Sequence, residues 1–367
     1  MSLTQPATRL IVAAFLMDFA IGLAGLGFIE LAIALHASPL VLGRIGTIGG
    51  LAYTLGCLVS GRLSDRIGRR RTVFAACLSV GLAWSAYGWV VRPEQILYIL
   101  PIAGFGMAFF WPPVQAWLAE LSAAGGKVEL HRNIGRFNMF WCAGLLGGPV
   151  ACGYLWSYSH SLPFVVAIAT AVLLAGIAWS TPRRAAGQPA LAEEPTEPAH
   201  PQADLFLRLA WAGNFASSLA MGTVKTLFPK LGDTLGYPPE LVGWLIASIH
   251  GGQILLFYVG SRTEIWHYRL EPLLLAPLLG ASGMAVAYYT SSPLWFALGF
   301  AASGMCAGVT YVGSLFYSLH GHAADRGGKA GLHEAVLGSG LLLGPLIGGK
   351  LADELGLRAP WLLGAGT

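Results

Sequence analysis

Apolar runs of a length fit to cross a bilayer recur along the whole chain. Crossing about 30 Å of hydrocarbon at about 1.5 Å per residue takes about 20 residues. In the first half such runs, bounded by charge, Pro or Gly, fall at residues 9–35, 39–62, 72–91, 95–121, 133–157 and 160–181. In the second half they fall at 205–232, 239–260, 271–290, 293–319 and 329–356. The pattern predicts eleven membrane helices and the start of a twelfth at Pro360. Eight residues, Pro360 to Thr367, cannot span a bilayer, so the twelfth helix is expected to be truncated. Between the sixth and seventh runs, residues 183–203 are rich in Pro, Ala and Glu and read as a flexible linker. The expected division is a six-helix bundle over 1–182, a linker over 183–203 and a second bundle over 204–367.

Composition agrees with a membrane chain. Of 367 residues, 55% are apolar and only 11% charged, against roughly a quarter charged in soluble domains. The mean hydropathy is +0.62. The net charge of +4 is small and no basic stretch is interleaved with aromatics, so nucleic acid is not an expected partner. Cys57, Cys77, Cys142, Cys152 and Cys306 lie inside apolar runs without metal or redox spacing and read as packing residues. The first run is far longer than a signal-peptide core, so it is expected to be retained. With a cytoplasmic N-terminus, one side receives Arg62, Arg66, Arg69, Arg70, Arg71, Lys127, Arg132, Arg136, Arg183, Arg184, Arg208, Arg262, Arg269, Arg326 and Lys329. The other receives clearly only Arg92, Lys230 and Arg358, which supports that orientation.

The halves are copies. At an offset of 199, Arg9 and Leu10 meet Arg208 and Leu209, Pro39 meets Pro238, Gly61 meets Gly260, Asp65 meets Glu264 and Arg70 meets Arg269. Gly43 meets Gly243 only at 200. At 196, the Gly144–Pro149 element meets Gly340–Pro345, each in the fifth run of its half. Paired charges and a shared GxxxGP at nearly one offset point to duplication, and many transporters are built from repeated bundles.

At the end of the second run stands Gly61-Arg62-Leu63-Ser64-Asp65-Arg66-Ile67-Gly68-Arg69-Arg70-Arg71-Thr72. It resembles the G-x-x-x-D-R-x-G-R-[RK] signature of the major facilitator superfamily, in the loop between helices two and three. The resemblance implies an all-α integral membrane fold of two pseudosymmetric six-helix bundles. It also implies a cytoplasmic gate at Gly61, Asp65, Arg66, Gly68, Arg69 and Arg70, with Asp65 meeting the start of the eleventh helix near Gly328 and Lys329. A topogenic charge cluster is the plainer reading of the same residues. The second copy, Gly260 to Arg269, loses its second Gly and reads as decayed, so a weaker latch is expected there.

Gly144, Gly148 and Pro149, with Gly340, Gly344 and Pro345, suit helices that pack closely and bend. The first set resembles a glycine and proline motif of the superfamily's antiporters, although Cys152 replaces one later glycine. Plain helix packing accounts for it equally well.

Ionisable groups at membrane depth are costly and face a cavity or a partner. Asp18 lies about 13 Å beyond Arg9 along a helix, near the bilayer middle. It either binds a proton or cationic solute, or packs through a hydrogen bond. His333 and Glu334 lie one turn inside the eleventh run, with Asn138 at the repeat position of Glu334. They either carry a proton or close a gate. Further candidates to line a solute cavity are Trp111, Gln115, Lys225, His250, Gln253 and Tyr311, beside Asn138. Each also has an ordinary reading as packing or as a snorkelling cation.

The sequence therefore predicts a secondary transporter of a small organic solute working by alternating access, coupled to protons or another ion, export favoured over uptake by symport. A non-transporting sensor or scaffold with the same fold is the rival of another class. No cofactor or metal is called for, and no enzymatic Ser/Lys, Asp/Asp or His/Glu pair has suitable spacing. The expected partners are the solute, the coupling ion and the lipid bilayer. The expected location is a bacterial inner (plasma) membrane, as a monomer with a cytoplasmic N-terminus.

Overall fold

The computed structural model describes residues 5–123, 126–182, 201–260, 262–263, 265–319 and 326–366. Most of the expected linker, with Arg183 and Arg184, lies outside them, as does Glu264. The chain runs through α1 (Pro6–Ala34), α2 (Pro39–Ile67), α3 (Arg69–Ser85), α4 (Ile96–Ala108), α5 (Trp111–Ala123), α6 (Gly126–Tyr158) and α7 (Leu162–Ser180). It continues through α8 (Ala203–Thr234), α9 (Pro239–Gly260), α10 (Leu270–Tyr289), α11 (Pro293–Leu319), α12 (Arg326–Leu355) and α13 (Ala359–Gly366). Among the described residues there is no strand.

Among the described residues, ten segments are long and apolar enough to cross a membrane. α8 was also expected to cross and has the length, 32 residues, but is more polar than these ten. It buries Asn214, Ser217, Ser218, Thr223 and Thr226. Large apolar side chains such as Leu58, Leu82 and Leu278 are more than 60% exposed, as lipid-facing residues are.

The run at 95–121, expected as one helix, breaks into α4 and α5. Pro112 and Pro113 have no N–H to give the carbonyls of Ala108 and Phe109, and their rings exclude a continuous helix there. The Phe110 N–H turns instead to the Met107 carbonyl at 3.0 Å, and α5 restarts with Val114 N–H on the Phe110 carbonyl at 3.0 Å.

The helices group into two units, one of Met1–Leu35 and Ile48–Glu193, the other of His36–Thr47 and Glu194–Thr367. In this division the start of α2 joins the second unit. There Gly43 lies where a Cβ would be 3.0 Å from Gly349 Cα, and the Thr47 hydroxyl donates to the Leu342 carbonyl at 2.8 Å.

Within the first unit α1 packs on α6 and α7, and α3 on α4 and α7. Within the second, α8 packs on α12 and α11, α9 on α11, and α10 on α11 and α13. Bare backbone contact makes the α1/α6 crossing: a Cβ on Gly22 would meet Pro149 Cδ at 2.8 Å, and one on Gly148 would meet the Phe19 carbonyl at 2.5 Å. The α8/α12 crossing repeats it, with Gly222 against Pro345 Cδ at 3.1 Å and Gly340 against the Phe215 carbonyl at 2.5 Å. With no hydrophobic drive between helices in lipid, such close approach is what holds membrane helices together.

The packing also corrects the register of the repeat. Left-handed backbone occurs at His36 and Gly236 and at Gly68 and Tyr268, pairs 200 residues apart. Gly22 and Gly222 at the two crossings are again 200 apart. The offset of 199 was drawn by chance identities such as Arg9 with Arg208. At 200, Asp65 corresponds to Ile265 and Asp18 to Ser218. α13 takes up the place of the start of α7: Pro360 and Trp361 follow Pro163 and Phe164, with Trp361 against Phe228 as Phe164 is against Phe28.

Candidate functional site

The charged loop of the first unit is an ion-pair cluster. Left-handed Gly68 separates α2 from α3 and lets Arg69, at the start of α3, turn back toward α2. Its guanidinium reaches Asp65 at 2.9 Å, Ser64 Oγ at 3.2 Å and Glu120 of α5 at 2.7 Å. Asp65 is 62% exposed, whereas Arg69 and Glu120 are 21% and 26% exposed, so the Glu120 pair is the better shielded. Arg70 lies over the Trp179 ring at 4.7 Å, tying the same loop to α7. Gly61 is half-buried and Arg66 is exposed. The surroundings of Gly328 lie outside the described residues, and Lys329 sits 5.5 Å over the Trp211 ring.

The second copy of this loop is rebuilt in other chemistry. Phe206, Trp266, Tyr268, Phe316 and Tyr317 pack ring against ring, and the Tyr317 hydroxyl accepts the Tyr268 N–H at 3.1 Å. At the offset of 200, Tyr268 stands for Gly68 and Tyr317 for Trp117. An aromatic clamp replaces the ionic one, where the sequence read only decay. Burial raises the Tyr268 phenol above its ordinary range.

Asp18 is buried on α1, and a Cβ on Gly144 would lie 3.1 Å from its Cβ, so the acid sits in the α1/α6 crossing itself. A second buried acid, Glu30, lies further along α1. The sequence reading did not single it out, although its position inside the 9–35 run was the available signal.

In the second unit, a chain of polar groups joins α8, α11 and α12. His333 Nδ1 and Ser314 Oγ are 2.6 Å apart, Ser217 Oγ and Thr310 Oγ1 are 2.9 Å apart, and Trp211 Nε1 donates to Ser318 Oγ at 3.2 Å. Ser217 and Ser218 both turn back to the Asn214 carbonyl, at 3.2 and 2.6 Å. His333 is fully buried, its Nε2 has no hydrogen-bond partner among the described residues, and the Tyr311 ring meets it edge-on at 5.0 Å. Glu334 is half-buried beside it. In the first unit, Trp111 and Phe137 form the same edge-on pair at 6.0 Å, next to Asn138, which accepts a hydrogen bond from Trp141 at 3.2 Å. One copy of the motif thus carries titratable groups where the other carries apolar and amide side chains.

His250 and Gln253 of α9 pair at 3.1 Å and are buried, Lys225 of α8 is half-buried, and Gln115 of α5 is exposed. The structure therefore brings together His333, Glu334 and Tyr311 in one unit, and Asp65, Arg69 and Arg70 in the other. Ser314, Thr310, Ser217 and Glu120 were missed, since hydroxyls in an apolar helix carry no local signal and Glu120 reads as a helix-end charge.

The sequence profile of the Major Facilitator Superfamily matches residues 10–211 and again residues 210–367. The chain belongs to that superfamily. It is similar to the inner membrane metabolite transport protein YgcS of Escherichia coli (strain K12), 28% identical over 169 residues. That match covers 45% of this chain and 37% of YgcS, so it spans well under two thirds of that relative. It is also similar to the enterobactin exporter EntS of Shigella boydii serotype 4 (strain Sb227), 25% identical over 317 residues, or 80% of this chain and 71% of EntS. Among solved structures, the nucleoside transporter NupG superimposes with a TM-score of 0.75 over 98% of this chain and 96% of its own. At 15% identity NupG speaks for the fold alone. As a Major Facilitator Superfamily chain with ten apolar spans among the described residues, this is a multi-pass membrane protein.

Proposed function

We propose that this protein is a secondary active transporter that exports a small organic solute in exchange for protons by alternating access. The observation that carries the reading is the placement of ionisable groups in both repeats of one helix pair. Asp18 is buried in the α1/α6 crossing, and His333 with Glu334 lies on α12 beside α8 and α11. Burying such groups in a membrane protein costs several kcal/mol, roughly, and is retained where protons or solutes are handled. Asp18 takes up and releases the proton. His333, held through Nδ1 by Ser314, and Glu334 form the second proton-handling pair.

Trp111, Gln115, Asn138, Lys225, His250, Gln253 and Tyr311 contact the solute. The loop of Gly61, Asp65, Arg66, Gly68, Arg69 and Arg70 is a cytoplasmic gate whose closed form is stiffened by Glu120. The export direction is supported by the likeness to an enterobactin exporter, and the inner membrane by the likeness to an inner membrane transport protein. The arginine distribution supports a cytoplasmic N-terminus. The protein works as a monomer.

The test is a thermal-shift screen of the purified protein against a library of small organic metabolites at two pH values. Stabilisation by one chemical class, changing with pH in the wild type and not in Asp18→Asn, is the expected result. A well-folded sample that no compound stabilises overturns the reading in favour of a non-transporting role.

A further inference from the structure

The two ring nitrogens of His333 stand in different surroundings. Nδ1 lies 2.6 Å from Ser314 Oγ, while Nε2, buried with the ring, has no hydrogen-bond partner among the described residues. Which nitrogen carries the proton of a neutral imidazole is set by the hydrogen bond the ring makes. Ser314 is fully buried, so its one hydroxyl proton needs an acceptor. Neighbours on α11 spend theirs on the carbonyl one turn back, Ser318 on Ser314 at 2.7 Å and Thr310 on Cys306 at 3.0 Å. Among the described residues Ser314 Oγ instead meets His333 Nδ1 and, at 3.5 Å, the Asn214 amide nitrogen, which can only donate. The hydroxyl proton therefore points to Nδ1. Nδ1 accepts it, and the neutral ring carries its own proton on Nε2.

In the first unit the places of Ser314 and His333 are filled by Val114 and Phe137, both buried, so one copy has the hydroxyl and the imidazole together and the other has neither. Charged groups on the helices packed here, Arg208 and Lys225 on α8 and Lys329 and Glu334 on α12, make no bond to either ring nitrogen, and α11 carries no charged residue. The lone pair of Nδ1 is the one basic site of the neutral ring, and the Ser314 hydroxyl covers it.

We propose that Ser314 delivers the exchanged proton to Nδ1 of His333, an inference that rests on the reading of His333 as a proton-handling group. A hydronium ion gives its proton to the Ser314 oxygen and leaves as water, while Ser314 passes its own proton to Nδ1. The ring becomes an imidazolium whose Nδ1–H donates to Ser314, and the new hydroxyl proton turns to the Thr310 carbonyl one turn back. Release runs through the same steps in reverse. Threonine at this position keeps the hydroxyl, and alanine removes it.

Two measurements on the full chain test this. Solid-state NMR of the protein in proteoliposomes, with 15N-labelled histidine, reads the ring, the His333 signals being those lost in His333→Gln. The wild type and Ser314→Thr are expected to show a neutral ring protonated on Nε2, with the Nδ1 signal displaced by an accepted hydrogen bond, and Ser314→Ala to lose that displacement. A neutral wild-type ring protonated on Nδ1, or the same Nδ1 signal in Ser314→Ala as in the wild type, overturns the proposal. Solute-driven proton flux in dye-loaded proteoliposomes reads delivery, and it should fall at least about tenfold in Ser314→Ala, with solute binding kept, and return in Ser314→Thr. Wild-type flux that Ser314→Ala leaves undiminished overturns this proposal alone, whereas a wild type without flux overturns the proton-exchange reading as well. Should Ser314→Ala fail to fold, the wild-type ring decides: a proton on Nε2 supports delivery at Nδ1, and a proton on Nδ1 overturns it.

Discussion

Adding one methyl group at two places on α6 should have opposite effects. A Cβ on Gly148 would stand 2.5 Å from the Phe19 carbonyl oxygen and 2.8 Å from Gly22 Cα, both backbone atoms that no rotamer change can move. α1 and α6 must separate to admit it. Overpacking of this kind costs about 1–3 kcal/mol, against a gain of up to about 1 kcal/mol from replacing Gly by Ala in a helix. Gly148→Ala should therefore lose about 1–2 kcal/mol. Gly135, earlier on α6, has nothing within 4 Å of the same Cβ, so Gly135→Ala keeps only the gain. At about 2–4 °C per kcal/mol, the two variants should differ by several degrees in unfolding temperature. Cys77, Cys142, Cys152 and Cys306 are buried, so a thiol-reactive fluorogenic dye reports unfolding directly. Equal unfolding temperatures, or Gly148→Ala the more stable, would refute the claim that bare backbone contact holds the α1/α6 crossing.

Glu120→Gln removes the better shielded partner of Arg69 and should cost about 1–2 kcal/mol, with most of the loss absent in an Arg69→Gln background; additive losses in that double-mutant cycle would rule the pair out. Ser314→Ala leaves the fully buried His333 ring without its Nδ1 partner and should destabilise by about 1–3 kcal/mol, read in the same dye assay, whereas an unshifted midpoint would mean that the ring finds another partner. Arg358→Ala strips hydrogen bonds to the carbonyls of Tyr288 and Thr290 and to Ser291 Oγ at 2.7 Å, untying the α12–α13 turn from the end of α10. A loss of about 2 kcal/mol is expected, discounted for the partial exposure of the contacts, and proteolysis at that turn should quicken.

Much of the fold was legible because lipid imposes one length on every span, so counting apolar runs located the helices without any knowledge of packing. The break after Phe109 was legible too, in Pro112 and Pro113, but the apolar run hid it. The duplication was visible in GxxxGP, while its register was not. Arg9 with Arg208 pulled the offset to 199, whereas the backbone turns at His36, Gly236, Gly68 and Tyr268 and the crossings at Gly22 and Gly222 fix 200. Asp18 and His333 stood out because charge at depth is rare. Their partners did not: Ser314 lies 19 residues before His333 on another helix, and nothing local ties the two together. The aromatic clamp of the second unit escaped for a related reason, since a motif search sees the ionic residues lost and not the rings that replaced them.

The most direct test of the central claim is proton flux in proteoliposomes loaded with a pH-sensitive dye, started by a gradient of a solute that stabilises the purified protein. The account predicts proton movement opposite to the solute in the wild type, and its loss in Asp18→Asn with solute binding retained. Solute movement without proton flux, or an undiminished flux in Asp18→Asn, would contradict it.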